Sequence, residues 1–217
     1  MTDQERVALL VGSPKGLKDG SSVRLGRAIT DGLEEAGWHC DAFHLHAAVR
    51  TEEAMSELLT SLEATDLVVL STPLYVDSLP APVIRALYRI ATHRAGTTGG
   101  NVPRFLSIVN CGFVEPWQNE GAQRMVQQFC SQARFALVGS LSLGAAGTMT
   151  GKVRKAFELV VKALRDDILV PESVYELTKG RVIPRSLYIL GGNMTWKRQA
   201  KANGVGDQLK AQPYKRV

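Results

Sequence analysis

The stretch Arg6-Val-Ala-Leu-Leu-Val11, followed at once by Gly12-Ser-Pro-Lys-Gly-Leu-Lys-Asp-Gly-Ser-Ser22, decides the fold. Its first part is an unbroken apolar run too short for a helix, the mark of a strand buried on both faces. Its second part gathers Gly12, Gly16 and Gly20 with Ser13, Ser21, Ser22 and the cations Lys15 and Lys18. A helix is then expected. Between Ser22 and Ala36 the apolar positions Val23, Ala28, Ile29, Leu33 and Ala36 recur near helical spacing, and Gly37 supplies a stop.

The same alternation continues outward. Trp38 to Leu45 reads as a second strand, Glu52 to Leu62 as a helix, and Leu67 to Ser71 as a third strand. Ala81 to Arg94 is helical and Gly96 to Gly100 a loop. Arg104 to Asn110 is a fourth strand, Asn119 to Ala133 a helix, and Phe135 to Leu143 a fifth strand. Val153, Ala156, Phe157, Val160, Val161 and Leu164 mark one face of a further helix. Strands alternating with helices of this length imply right-handed crossovers and a parallel sheet covered on both faces. Leu187 to Leu190 suits a sixth strand or, preferably, a short helix with Pro184 in its first turn. Asn193 to Asn203 reads as a basic helix capped by Asn193 and stopped by Asn203-Gly204. The expected organisation is an α/β domain over residues 1–170 and a basic helical extension over 171–217.

Bulk properties exclude several classes. The 217 residues are 45% hydrophobic and 22% charged, ample for a full core. Met1 to Arg6 is polar and lacks the basic and apolar regions of a secretory signal. The longest uncharged run, Phe135 to Gly151, is short for a membrane span and diluted by Gly, Ser and Thr. A cytoplasmic protein without a membrane span is expected. Cys40, Cys111 and Cys130 show no CxxC spacing, which points away from a disulfide framework, zinc or an iron–sulfur cluster. Much of the net charge of +5 sits after Gly192, where Lys197, Arg198, Lys201, Lys210, Lys215 and Arg216 face the single acid Asp207. Charge sign alone does not choose among nucleic acid, anionic lipid and phosphorylated small molecules. The tail holds no recognisable nucleic-acid reading motif, so a nucleic-acid partner is not expected.

In an open parallel sheet, ligands bind beyond the carboxyl ends of the strands. The loop Gly12 to Ser22 combines flexible backbone, hydroxyls and lysines just before a helix, where N–H groups and the helix dipole favour a phosphate. It contains neither Gly-Lys-Ser/Thr nor Gly-x-Gly-x-x-Gly. The alternative is a flexible turn in which Ser21 or Ser22 merely caps the helix. Gly12-Ser13-Pro14 also lacks the Gly-x-Ser-x-Gly elbow of a hydrolase nucleophile. The pairs Glu34-Glu35, Glu52-Glu53 and Asp166-Asp167 fall on helices, where adjacent side chains diverge into solvent.

Three loops bear a family resemblance. Gly12-Ser13-Pro14-Lys15 with Gly20-Ser21-Ser22 and Arg24-Leu25 resembles the phosphate loop of the NADPH-dependent FMN reductase and flavodoxin-like NAD(P)H:quinone oxidoreductase group. Ser71-Thr-Pro-Leu-Tyr-Val-Asp-Ser-Leu-Pro80, followed by Pro82 and Ile84-Arg85, resembles that group's flavin loop. Asn110-Cys-Gly-Phe-Val-Glu115 is similar to a segment that some members place along the flavin edge. The loop Leu143 to Met149 either closes the site or is a plain glycine-rich turn. The resemblance covers about residues 6 to 166.

The resemblance implies a flavodoxin-like five-stranded parallel sheet of order 2-1-3-4-5, with helices on both faces and a C-terminal helical tail. It implies FMN as cofactor and NADPH or NADH as electron donor, with a quinone, nitroaromatic or similar small molecule as acceptor. Ser13, Lys15, Ser21 and Ser22 would lie on the phosphate, Pro73, Leu74, Tyr75 and Val76 along the isoalloxazine, and Asn110, Cys111 and Gly112 at its edge. The flavin carries the chemistry, so no catalytic side chain is assigned. A homodimer is implied in the same way. The alternative is a flavodoxin-type electron carrier, a family with an acidic surface, whereas this chain is basic. Relatives with an iron–sulfur cluster carry cysteines after the second strand, where this chain has His44-Leu45-His46. On an extended strand His44 and His46 share one face, but two ligands fall short of a metal site. For Cys111, a small buried thiol is the preferred reading over a redox centre.

Overall fold

A computed structural model describes residues 4–96, 102–181 and 183–211. The loop expected over 96–100 lies outside the described residues beyond Gly96, as do Lys215 and Arg216 of the basic tail. The strands are β1 (Arg6–Val11), β2 (His39–His44), β3 (Leu67–Pro73), β4 (Arg104–Asn110) and β5 (Ala136–Leu143). They form one parallel sheet in the order β2-β1-β3-β4-β5, the expected flavodoxin-like arrangement. Register aligns their carboxyl ends: Val11 lies beside His44 and Ser71, Pro73 beside Asn110, and Asn110 beside Leu143. The loops after β1, β3 and β4 therefore leave from one edge of the sheet.

Two cores explain the unbroken apolar run of β1. Val7, Leu9 and Val11 face one layer with α1 (Ser21–Glu34) and α6 (Gly151–Arg165). Ala8 and Leu10 face the other, with α3 (Glu52–Glu63), α4 (Ala81–Ala95) and α5 (Glu120–Ala133). Successive strand residues point to opposite faces, so a strand covered on both sides needs apolar residues throughout. The helix starts show ordinary local logic in two cases. Thr51 Oγ1 accepts from Ala54 N at 3.2 Å, and Thr150 Oγ1 accepts from Val153 N at 3.4 Å. Helix α1 differs, since Gly20 at its cap position offers no side chain.

Several elements depart from expectation. The second strand stops at His44, and Leu45 begins a short helical turn, α2 (Leu45–Ala48), which buries Leu45 and Ala48 in the α3–α5 core. The third strand runs two residues past Ser71, to Pro73, because β4 pairs alongside it as far as Asn110. Helix α7 (Glu172–Thr178) was not foreseen. Around it, Val170 N donates to Val138 O at 2.9 Å and Ser140 N to the Tyr175 hydroxyl at 3.4 Å, so this segment covers the outer edge of β5.

The chain divides into two compact units, residues 1–182 and 183–217. In the second, the expected pair of helices is one continuous helix, α8 (Arg185–Ala202), which runs through Gly191-Gly192-Asn193. Asn193 is therefore interior and caps nothing. Each glycine there costs about 1 kcal/mol against alanine, and the helix is continuous in spite of it. A 3₁₀ turn at Gly206–Gln208 follows. No described helix is long and apolar enough to cross a membrane.

Candidate functional site

The first loop begins as a continuation of the sheet, with Gly12 N donating to Ser71 O at 2.9 Å. A Cβ on Gly12 would sit 2.4 Å from Thr72 Oγ1 and 2.7 Å from Val83 Cγ2. Only a bare Cα lets β1 leave the sheet here. Ser13 is buried, and its hydroxyl accepts from Lys15 N at 3.3 Å. Gly20, at φ 118°, turns the chain into α1. A Cβ built on it would lie 3.5 Å from Ser13 Oγ and 3.6 Å from Lys15 Cδ. The serine hydroxyl and the lysine stem thus border the start of α1. Among the described residues Lys15 makes no ion pair, and the first turn of α1 contains no acidic residue. A helix start without a side-chain cap, a hydroxyl and a cation have the chemistry of a candidate anion site, beside which Asp19 Oδ1 accepts from Gly20 N at 2.6 Å.

Ser21 is half-buried at the first position of α1, whereas Ser22 points inward. Ser22 Oγ donates to Asn110 Oδ1 at 3.0 Å, and Ser71 Oγ donates to the Ser22 carbonyl at 2.7 Å. The buried Ser22 and Asn110 therefore join the first loop to the third. The second loop joins them too, because Leu74 N donates to Asn110 O at 2.8 Å. All three loops meet at Asn110.

Beyond Leu74, Tyr75 and Ser78 exchange backbone hydrogen bonds of 2.8 and 3.1 Å around a two-residue turn. Its central residues, Val76 at φ 48° and Asp77 at φ 57°, occupy positions that normally favour Asn and Gly. A β-branched residue held there costs about 1–3 kcal/mol, the kind of strain found at binding sites. Val76 is 96% exposed and Tyr75 half exposed, so an apolar and aromatic surface faces outward without a partner in the core. Pro73 and Leu74 are half-buried beneath them.

The third loop is locked to the fourth. Cys111 N donates to Leu143 O at 3.0 Å, Ala145 N to Phe113 O at 2.5 Å and Ala146 N to Cys111 O at 2.7 Å. The left-handed conformations of Ala145, Ala146 and Gly147 make this contact possible. Asn119, fully buried, donates from Nδ2 to Val109 O and Leu143 O, bracing β4 and β5 where the loops begin. A Cβ on Gly112 would meet nothing within 4 Å, which leaves open space at the loop's outer side.

The thiols are quiet. Cys111 is 2% exposed, and burial pushes its thiol up, against the opposing effect of hydrogen bonding with the Phe113 backbone and the Asn119 side chain. Burial also raises Cys40 and takes Cys130 to about 12. Thiolate is the reactive form. At pH 8 the folded protein is expected to resist an alkylating reagent, with all three cysteines modified only after denaturant is added; rapid native labelling of Cys111, read by mass spectrometry, would contradict this.

Residues missed by sequence reasoning complete the site. Ser71 and Asn119 hold loop backbones through their side chains, and no local signal marks them. His44 and His46 do not lie on one extended strand, since Leu45 starts a helical turn between them. Their rings nonetheless stack, 5.5 Å apart and 3° from parallel, and their Nε2 atoms reach Ser13 O at 2.8 Å and Gly12 O at 3.1 Å. Among the described residues, no group of three or more His, Cys, Asp and Glu is placed to hold a metal.

Solved structures share this architecture. An FMN-dependent NADH-azoreductase from Bacillus anthracis str. Ames Ancestor, in complex with FMN, is 13% identical, with a TM-score of 0.55 over 75% of this chain and 99% of its own. A flavodoxin from Streptococcus pneumonia TIGR4 is 12% identical, with a TM-score of 0.56 over 75% and 99%. An NAD(P)H:quinone oxidoreductase from Methanothermobacter marburgensis is 16% identical, with a TM-score of 0.53 over 76% and 96%. Identities this low establish the shared fold and nothing finer. No curated protein matches the sequence. The resemblance read from the loops holds at the level of sequence: residues 6–103, which include the first two loops and the histidine pair, match the family of NADPH-dependent FMN reductases, and they do so within a flavodoxin-like fold.

Proposed function

We propose that the protein is an NAD(P)H-dependent FMN oxidoreductase that reduces a small-molecule acceptor of the quinone or nitroaromatic class. The observation that carries this reading is the uncapped start of α1 bordered by Ser13 and Lys15, on the sheet edge where three loops converge on Asn110. Its donor set fits the FMN phosphate, because it offers N–H groups, hydroxyls and one cation, while the nearby Asp19 carboxylate is turned onto the Gly20 N–H before the first turn. When bound, FMN supplies the capacity to accept a hydride from a nicotinamide and pass electrons onward.

The chain's own residues then bind and orient. Ser13, Lys15 and Ser21 hold the phosphate, while Ser22 ties the phosphate loop to Asn110 through its hydroxyl. Pro73, Leu74, Tyr75 and Val76 supply an apolar wall that shields one side of the ring from water. Asn110, Cys111 and Gly112 line its edge, and the bare Cα of Gly112 lets the ring come close to backbone. An open space over Gly112 also leaves room for a nicotinamide or an acceptor.

The absorbance spectrum of freshly purified protein tests the cofactor, and anaerobic mixing with NADPH or NADH tests the reaction. Visible flavin bands that bleach within a turnover-competent time are expected. Bands that persist with both nucleotides and bleach only under light would replace this reading with the electron carrier.

A homodimer is part of the proposal. The helices α4 and α5 border an apolar groove of about 480 Å³ that includes Ile84, Tyr88 and Met125, and Tyr88 is 71% exposed. Exposed apolar patches of this kind mark association surfaces. Replacing Tyr88 and Met125 together by Glu is expected to shift sedimentation toward monomer without loss of helical circular dichroism. A location in the cytoplasm is proposed on the three free cysteines.

A further inference from the structure

His44 ends β2 and His46 lies in the helical turn after it, on the strand that neighbours β1. Neither is needed for the core, and both are half-buried. Their contacts converge on two consecutive carbonyls of the first loop, Gly12 O and Ser13 O. A carbonyl only accepts, so each imidazole donates from Nε2, which fixes the tautomer with Nδ1 bare when the ring is neutral. Burial, with the neighbouring His44 and Arg50, holds His46 below the ordinary histidine range in spite of its hydrogen bond to Gly12. His46 therefore does not act as a fixed positive charge at neutral pH. Its contribution is geometric.

In a trans peptide the carbonyl and the N–H of the next residue point in opposite directions. Holding Gly12 O toward His46 aims the Ser13 N–H away from β2, and a hydrogen bond to that carbonyl also polarises the N–H as a donor. Ser13 O belongs to the peptide of Pro14, which has no N–H, so a carbonyl left free there would present only negative charge to an incoming anion. His44 occupies it. We infer that His44 and His46 are positioning residues for the FMN phosphate: their Nε2–H groups hold the carbonyls of Ser13 and Gly12 back, so that the Ser13 N–H and hydroxyl face the phosphate. This inference rests on the flavin reading above and adds to it a device outside the loops that touch the cofactor.

The test uses amide replacements of different reach on the full chain. Gln places a donor near the position of imidazole Nε2, whereas the shorter Asn does not. Apoprotein carrying His46→Asn or His44→Asn is titrated with FMN and with riboflavin, beside His46→Gln and His44→Gln. The Asn variants are expected to weaken FMN about tenfold each, the worth of one hydrogen bond, with riboflavin changed less than about twofold. The Gln variants should recover most of the loss. Equal weakening of both ligands, unchanged FMN affinity, or indistinguishable Asn and Gln variants would each overturn the clamp while leaving the flavin reading intact. A wild-type protein that binds riboflavin as tightly as FMN would overturn the phosphate site itself, and the clamp with it.

Discussion

Gly144→Ala is expected to destabilise the protein by about 1–3 kcal/mol, the ordinary cost of overpacking, and to weaken flavin binding at the same time. The backbone angles at Gly144, φ −88° and ψ −174°, are open to alanine, so conformation is not the obstacle. Space is. The added Cβ would lie 2.6 Å from Val114 O, 2.8 Å from Val114 C and 2.9 Å from Phe113 O. Backbone atoms do not rotate aside as a side chain does. Relief requires the third loop to move away from the fourth, at the expense of the Ala145 N to Phe113 O and Ala146 N to Cys111 O bonds. Gly112→Ala is the control, because its Cβ meets nothing within 4 Å. Its stability should stay within about 0.5 kcal/mol of wild type, while FMN affinity falls because the methyl fills the space assigned to the ring edge. Urea unfolding of the apoproteins and flavin titration separate the two effects. A Gly144→Ala protein as stable as wild type would mean that the two loops are not locked together.

The joint replacement Ser13→Ala with Lys15→Ala is expected to raise the FMN dissociation constant about a hundredfold, since each removes a hydrogen bond to a charged group. Riboflavin, which lacks the phosphate, should lose little. Ser22→Ala should behave differently although it belongs to the same loop. Its hydroxyl serves Asn110 Oδ1 at 3.0 Å in a buried setting. Loss of that donor costs about 1–3 kcal/mol of stability, and both flavins should weaken as the first and third loops come apart. Isothermal titration with FMN and riboflavin, beside thermal unfolding of each variant, measures all of this. If Ser13→Ala with Lys15→Ala reduced both ligands alike, the phosphate assignment would be lost.

The contrast between Ser13 and Ser22 shows where sequence reading stops. Both are hydroxyls in a glycine-rich turn before a helix, and local pattern treats them alike. Their difference lies in β4, 88 residues from Ser22, where Asn110 supplies a buried acceptor. The tail gives the same lesson at a coarser level. Gly191-Gly192-Asn193 reads as a break by intrinsic propensity, yet α8 is continuous across it, because propensities of about 1 kcal/mol per residue are a weak prior against the cooperativity of a long helix.

What the sequence by itself determined is the sheet and the loops that leave its carboxyl edge. A strand covered on both faces must be apolar at every position, and a chain that alternates such strands with helices has few ways to close. That logic is local and periodic, so it survives without coordinates. Tertiary structure alone decided how the loops are held. Asn110 as the junction of three loops, Asn119 bracing two strand ends, and the stacked His44 and His46 on the carbonyls of Gly12 and Ser13 all join residues distant in the chain. A hydrogen bond needs its partners within about 3 Å and in line, and no spacing along the sequence encodes that proximity.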